Sequence, residues 1–144
     1  MIREALTADI PGMSDVRMSV KENVLNNPDL VKEQDYIEYV TEYGKGWVAK
    51  SNGQITGFAI VSIKHNNIWA LFIHPDFERQ GIGKKLHDVM LDWYFSRTKE
   101  AVWLSTSPGT RAEAFYKNAG WENVGMYGNE VKFEMEFNKW VSKL

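Results

Sequence analysis

The stretch Leu71-Phe72-Ile73-His74-Pro75-Asp76-Phe77-Glu78-Arg79-Gln80-Gly81-Ile82-Gly83-Lys84-Lys85 constrains the architecture more than any other part of the chain. An apolar strand meets a proline, crosses a short polar loop and enters a helix through two glycines. The helix carries an apolar stripe of Ile82, Leu86, Val89, Met90 and Trp93. A further strand follows at Ala101 to Leu104. Strand–helix–strand is a crossover, and it lays its two strands parallel in one sheet.

The segments around that unit read as antiparallel. Trp47 to Lys50 turns at Asn52-Gly53, a strong hairpin signal, into a long strand over Ile55 to Ile63. The chain turns again near Asn66-Asn67. Ile68 to Ile73 is apolar at nearly every position, as expected of a strand buried on both faces. Ahead of this meander lie a short strand, Ile2 to Leu6, and a helix with Ile10, Met13, Val16 and Val20 inward. Asn26-Asn27-Pro28 breaks that helix. A second helix over Lys32 to Tyr43 is stopped by Gly44. Behind the crossover, Thr110 to Ala119 is helical with Gly120 past its end, and Val124 to Tyr127 and Val131 to Phe137 alternate as a closing pair. The fold expected is α/β: a single domain over residues 1–144, with a mixed, mostly antiparallel sheet and a central parallel βαβ splay.

Composition narrows the setting. A chain of 144 residues can bury a core of its own, and 25% charged residues is ordinary for a globular protein. A formal charge of −2 argues against a nucleic acid partner. With no cysteine, disulfides, thiolate metal sites and a cysteine nucleophile are excluded. No apolar run approaches the ~20 residues that span a bilayer, and Met1-Ile2-Arg3-Glu4 lacks the apolar core of a leader. A cytoplasmic protein with no membrane partner is the expectation. The histidines His65, His74 and His87 are scattered, so no metal site is expected.

The helix entry carries the chemistry. The first four amides of a helix lack partners, and its dipole adds roughly half a positive charge there. Glycine lets a bulky anion come close to the backbone. Arg79, Gln80, Gly81, Ile82, Gly83 and Lys84 therefore form a candidate cradle for a phosphate or diphosphate, with Lys85 beside it. The Walker A pattern does not fit, because Glu78 occupies its first glycine position and Lys85 follows Lys84. A dinucleotide fingerprint does not fit either, because Leu86 stands at the third glycine.

Ile73-His74-Pro75 with Gly81-Ile82-Gly83 resembles the signature of the GNAT superfamily of acyl-CoA-dependent N-acetyltransferases: hydrophobic-x-Pro, then Arg/Gln-x-x-Gly-x-Gly/Ala opening a helix. Glu78 departs from the Arg or Gln usual there, and Arg79 is the next residue. Ala112-Glu113-Ala114-Phe115-Tyr116-Lys117-Asn118-Ala119-Gly120-Trp121 resembles the family's second motif, A-x-x-F/L-Y-x-x-x-G-F. The element order matches the family over essentially the whole chain.

The resemblance implies acetyl-CoA as co-substrate and transfer of its acetyl group to a primary amine of a small molecule or peptide by direct attack. It implies Tyr116 as the general acid for the CoA thiolate, and the backbone of Phe72 and Ile73 as partners of the pantetheine arm. The alternative is a catalytically silent acyl-CoA binding or sensing module; an interaction protein using the cradle for another phosphate is a third reading. His74 is a candidate base because imidazole is the side chain suited to proton transfer at physiological pH, although His-Pro is also a structural dipeptide of the family. Gly109 stands where many members carry an asparagine, so the Ser105–Arg111 loop either faces the CoA phosphates or is a plain Pro-Gly turn. Asp35, Glu38 and Glu42 could draw an amine, or merely form a wet helix face. Trp47, Trp69, Trp103, Trp121 and Tyr127 supply core and one or two possible walls of an acceptor pocket. A homodimer through the closing strands is possible.

Overall fold

The computed structural model describes residues 1–25, 27 and 30–143. Asn26 and Pro28, expected to break the first helix, lie outside the described residues. The strands are β1 (Ile2–Glu4), β2 (Gly44–Ser51), β3 (Gln54–Ser62), β4 (Asn67–Ile73), β5 (Val102–Thr106), β6 (Glu122–Tyr127) and β7 (Glu130–Met135). The helices are α1 (Ile10–Ser19), α2 (Glu33–Glu38), α3 (Ile82–Arg97), α4 (Arg111–Asn118) and α5 (Phe137–Val141). The strands form a seven-stranded sheet in the order β1-β2-β3-β4-β5-β7-β6, antiparallel throughout except for β4 and β5. This is the mixed α/β sheet expected, with its parallel pair at the centre.

The parallel pair hardly exists as a ladder. Asn67 opposite Trp103 is its only register couple, supported by Trp103 N–H donating to the Asn66 carbonyl at 3.0 Å. Beyond that point β4 and β5 diverge. On its other side β4 is held firmly by β3, from Ser62 opposite Asn67 to Gly57 opposite Ile73. The register slips where Ile60 faces Ala70 but Val61 faces Ile68, so Trp69 is an extra residue, a bulge that bends the strand.

Two apolar layers cover the sheet. On one face Ile10, Met13 and Val16 of α1 and Tyr36 of α2 pack on Val48, Phe58 and Ile60. On the other, Leu86, Met90 and Leu91 of α3 meet Trp47, Val61 and Leu104. Each such aliphatic side chain contributes about 1.5–3 kcal/mol by leaving water.

Several expectations change here. Burial on β4 alternates through Ile68 and Ala70, and Leu71, Phe72 and Ile73 are only partly buried. The apolar run serves a core at one end and a cleft wall at the other, so it is not buried on both faces. On α3 the inward stripe is Leu86, His87, Met90, Leu91, Tyr94 and Phe95, while Val89 points outward at 38% exposure. The second helix is α-helical only to Glu38, and Tyr39–Tyr43 continue as a π turn. Gly44 then opens β2 directly; a Cβ there would lie 1.8 Å from the Val61 carbonyl oxygen, so the close strand approach admits only glycine. The closing strand stops at Met135, and Phe137–Val141 forms an additional helix. Among the described residues no helix is long and apolar enough to cross a membrane.

Candidate active site

The gap between β4 and β5 is the candidate site. A cavity of about 740 Å³ runs along it, walled by Leu71, Phe72, Ile73, Gly83, Arg111 and Tyr116. A smaller cavity of about 300 Å³ continues toward Arg17, Trp69, Ser105 and Glu130. Tyr116 borders both, so it stands where the two chambers meet.

Two helices point their N-termini at the larger cavity, and they differ in one respect. The α4 terminus is closed by the chain itself. Thr110 Oγ1 accepts from Glu113 N–H, Glu22 accepts from Arg111 N–H at 3.0 Å, and Glu113 accepts from Gly109 N–H at 2.9 Å. The Ser105–Arg111 loop therefore spends those amides internally. The α3 terminus has no side-chain cap. Its N-cap, Gly81, has φ +80°, a left-handed conformation natural to glycine, and a Cβ there would meet nothing within 4 Å. Arg79 is also left-handed at φ +64°. Among the described residues the first α3 amides thus have no side-chain partner at this turn, the arrangement that suits an anion.

Among the side chains proposed for the cradle, Gly83 lines the cavity. Arg79, Gln80 and Gly81 are exposed on the turn, and Ile82 packs against the core. Lys84 turns away: its Nζ donates to Asp88 at 2.8 Å, and the residue faces a separate cavity behind α3. Its charge is neutralised locally, which leaves only its amide for the cradle. Glu78, the departure from the family pattern, forms an ion pair with Arg111, joining the β4–α3 loop to α4 beside the cavity.

The main chain of β4 divides by register. His74 N–H donates to the Thr56 carbonyl at 2.8 Å, toward β3. With a period of two, Phe72 faces β3 as well, and the amides of Leu71 and Ile73 face the gap. Phe72 contributes its ring, 4.2 Å beneath the Arg17 guanidinium. His74 accepts from Asp76 N–H through Nδ1 at 3.1 Å, packs its ring on Phe77, and borders a cavity outside the gap. These contacts fix the ring within its loop, away from the two cavities along the gap.

Tyr116 is 6% exposed, with its ring edge-on to Phe115 and Trp121 at 5.3 and 5.4 Å. No hydrogen bond to its hydroxyl is formed among the described residues. Burial pushes the phenol well above its ordinary value, so it stays protonated and keeps an O–H to donate. No group of three or more His, Asp or Glu among the described residues could hold a metal.

Three contributors escaped the sequence reading. Arg17, beside the inward Val16, looks like any solvated helix charge. Leu71 becomes an amide donor only once the register is known. Glu130, which accepts from Ser105 Oγ at 2.8 Å, reads as an ordinary strand-end carboxylate. Of the aromatic residues, Trp69 walls the smaller cavity, Trp47 and Trp121 are core, and Trp103 pairs with Tyr127 at 5.2 Å. Asp35 accepts from Lys32 N–H and Glu38 from the Tyr43 hydroxyl, and neither lines the two cavities along the gap.

Solved structures share this fold. An acetyltransferase of the GNAT family from Staphylococcus aureus Mu50 superposes with a TM-score of 0.82 at 18% identity, over 95% of this chain and 98% of that one. PaiA N-acetyltransferase from Thermoplasma acidophilum, in complex with coenzyme A, gives 0.80 at 13% identity, over 94% and 98%. The ribosomal-protein-S18-alanine N-acetyltransferase of Escherichia coli gives 0.74 at 21%, over 94% and 90%. No curated protein sequence matches the chain. The model of the acetyltransferase (GNAT) family matches residues 13–121, which takes in α3 with its open N-terminus, the gap and Tyr116. By that match the chain belongs to the GNAT family of acyl-CoA-dependent acetyltransferases.

Proposed function

We propose that this protein is an N-acetyltransferase that moves the acetyl group of acetyl-CoA to a primary amine by direct attack, with Tyr116 as the proton donor to the departing sulfur. The observation that carries the reading is the position of Tyr116, an unpaired buried donor at the junction of the two cavities, one headed by the open α3 terminus. The residues fit the coenzyme. The free α3 amides suit its diphosphate, and the open amides of Leu71 and Ile73 suit the amides of its arm.

Acetyl-CoA supplies an activated thioester. The chain supplies placement, the larger share of the rate in a direct transfer between two bound reactants. The amine nitrogen bonds to the thioester carbon as the carbon–sulfur bond breaks. Tyr116 hydrogen-bonds the sulfur as its charge grows. An ordinary phenol is already a weaker acid than a thiol and burial widens the gap, so the Tyr116 proton reaches the sulfur only as the amine's proton replaces it. The proton that the amine releases restores the balance, giving amide and neutral thiol. Neighbours named for alanine of ribosomal protein keep a peptide amino terminus within the acceptor class.

Thiol release from acetyl-CoA across a panel of amines tests the proposal. Turnover is expected with at least one acceptor, and Tyr116→Phe should lower kcat about 100-fold or more while CoA affinity stays within about threefold. A protein that binds CoA yet releases no thiol with any amine would be the silent binding module. Wild-type turnover in the Phe variant would remove Tyr116 from the mechanism.

A further inference from the structure

The smaller cavity holds a positive and a negative side chain, neither answered by an opposite charge among the described residues. Arg17 reaches in from α1, and its Nη1 is buried with no hydrogen-bond partner. It forms no ion pair among the described residues, resting instead on the Phe72 ring at 4.2 Å. A guanidinium drawn out of water without an anion is costly, and such sites are kept where a carboxylate or phosphate is to be bound. Burial accordingly lowers the pKa of Arg17. Glu130 borders the same cavity. One of its oxygens accepts from Ser105 Oγ, and it pairs with no cation among the described residues. Tyr116 lies on the wall the two share.

A cavity of about 300 Å³ is at the small end for ligand pockets, the size of a single compact acceptor. A polyamine would set a second cation against Arg17, and a plain alkylamine would leave the guanidinium unanswered. Resting on the acetyl-transfer reading above, we infer that the acceptor is a zwitterion, a free amino acid whose carboxylate is bound by Arg17 and whose ammonium is drawn toward Glu130 and Tyr116. Trp69 and Phe72 supply apolar surface within a lining that is mostly polar through Asn23, Ser105, Thr106 and Ser107, so an amino acid with a small side chain fits best.

Calorimetric titration of the full chain, with and without CoA, uses alanine, leucine, methionine and phenylalanine against their carboxamides, with spermidine and phenethylamine alongside. The best free acid should bind at least tenfold more tightly than its carboxamide. Arg17→Met should bring that ratio to near one without changing CoA affinity, and Arg17→Lys should keep part of it. Glu130→Gln should weaken acid and carboxamide equally. Equal binding of acid and carboxamide by the unmodified protein, tighter binding of spermidine, no binding of any free acid, or an unchanged ratio in a folded Arg17→Met overturns the inference. Thiol release separates it from the reading on which it rests. Turnover with carboxamides or peptides alone sinks the zwitterion and keeps the acetyltransferase. Tight binding of a free acid without turnover does the reverse.

Discussion

Glu78 and Arg111 show how one substitution against a family pattern is absorbed. A carboxylate beside a diphosphate cradle should repel its ligand, yet here it is held by an arginine from the facing helix. Both side chains are substantially exposed, so the pair itself is worth about 0.2–1 kcal/mol. Arg111 must choose between Glu78 and an arriving phosphate. Glu78→Gln should therefore tighten CoA binding by about three- to tenfold, read by calorimetry at low salt, and the gain should shrink as salt rises. Unchanged or weaker affinity would mean that Arg111 serves only the protein.

His87 lies at the opposite extreme, 1% exposed inside α3. Its Nε2 accepts from Trp121 Nε1 at 2.9 Å, which leaves Nδ1 to donate to Asp88. Burial lowers its pKa, with the Asp88 contact opposing. The unfolded chain takes up a proton near pH 6.5 while the folded one resists, so the stabilisation is complete above that pH and is lost below it. Melting temperature should fall from pH 7 toward pH 5, and His87→Gln should flatten that slope. An equal slope in the variant would assign it to other groups. No motif marks His87, because its burial is made possible by Trp121, a partner far off in sequence.

Among the elements, α3 depends on glycine in two different ways. Gly81 holds a left-handed N-cap, so Gly81→Ala should cost about 1–2 kcal/mol in thermal unfolding. A Cβ at Gly83 would sit 3.7 Å from Ile73 Cγ1 and 3.9 Å from Phe115, ordinary contacts. Gly83→Ala should unfold within about 0.5 kcal/mol of wild type. Equal losses at the two positions would contradict the distinction.

Order and type of nearly every element were legible because hairpin turns, glycine stops and the strand–helix–strand unit are local signals. The extra helix α5 was not. It is five residues long and leans on a contact across the fold, Trp140 Nε1 donating to Asp92 at 2.9 Å. The cradle was legible at its backbone, since glycine and a helix start are written locally. Its side chains were not: Lys84 is claimed by Asp88, a competition that one-dimensional spacing does not display. The α3 stripe was misplaced for a related reason, since counting apolar residues passes over an inward histidine.

At the scale of the whole molecule, the sheet is two blocks, β1 to β4 and β5 to β6, meeting at Asn67 and Trp103. A ligand threaded between them touches both. CoA should raise the melting temperature progressively with concentration, by about 2.7 kcal/mol of added stability at a hundredfold excess over its dissociation constant. Hydrogen exchange at Leu71 and Ile73 should slow in the complex more than at Phe72, whose amide already faces β3. Equal protection of all three would refute the assigned register.

That parting of the strands also bears on solubility. A row of vacant amides at a sheet border ordinarily invites another polypeptide to dock and polymerise. Here the vacant row faces a cavity that Arg111, Phe115 and Asn23 also line, so it lies inside the sheet rather than on an outer edge. The vacancy suited to the coenzyme's arm is thereby kept off the outer strands, where a second polypeptide would pair most readily.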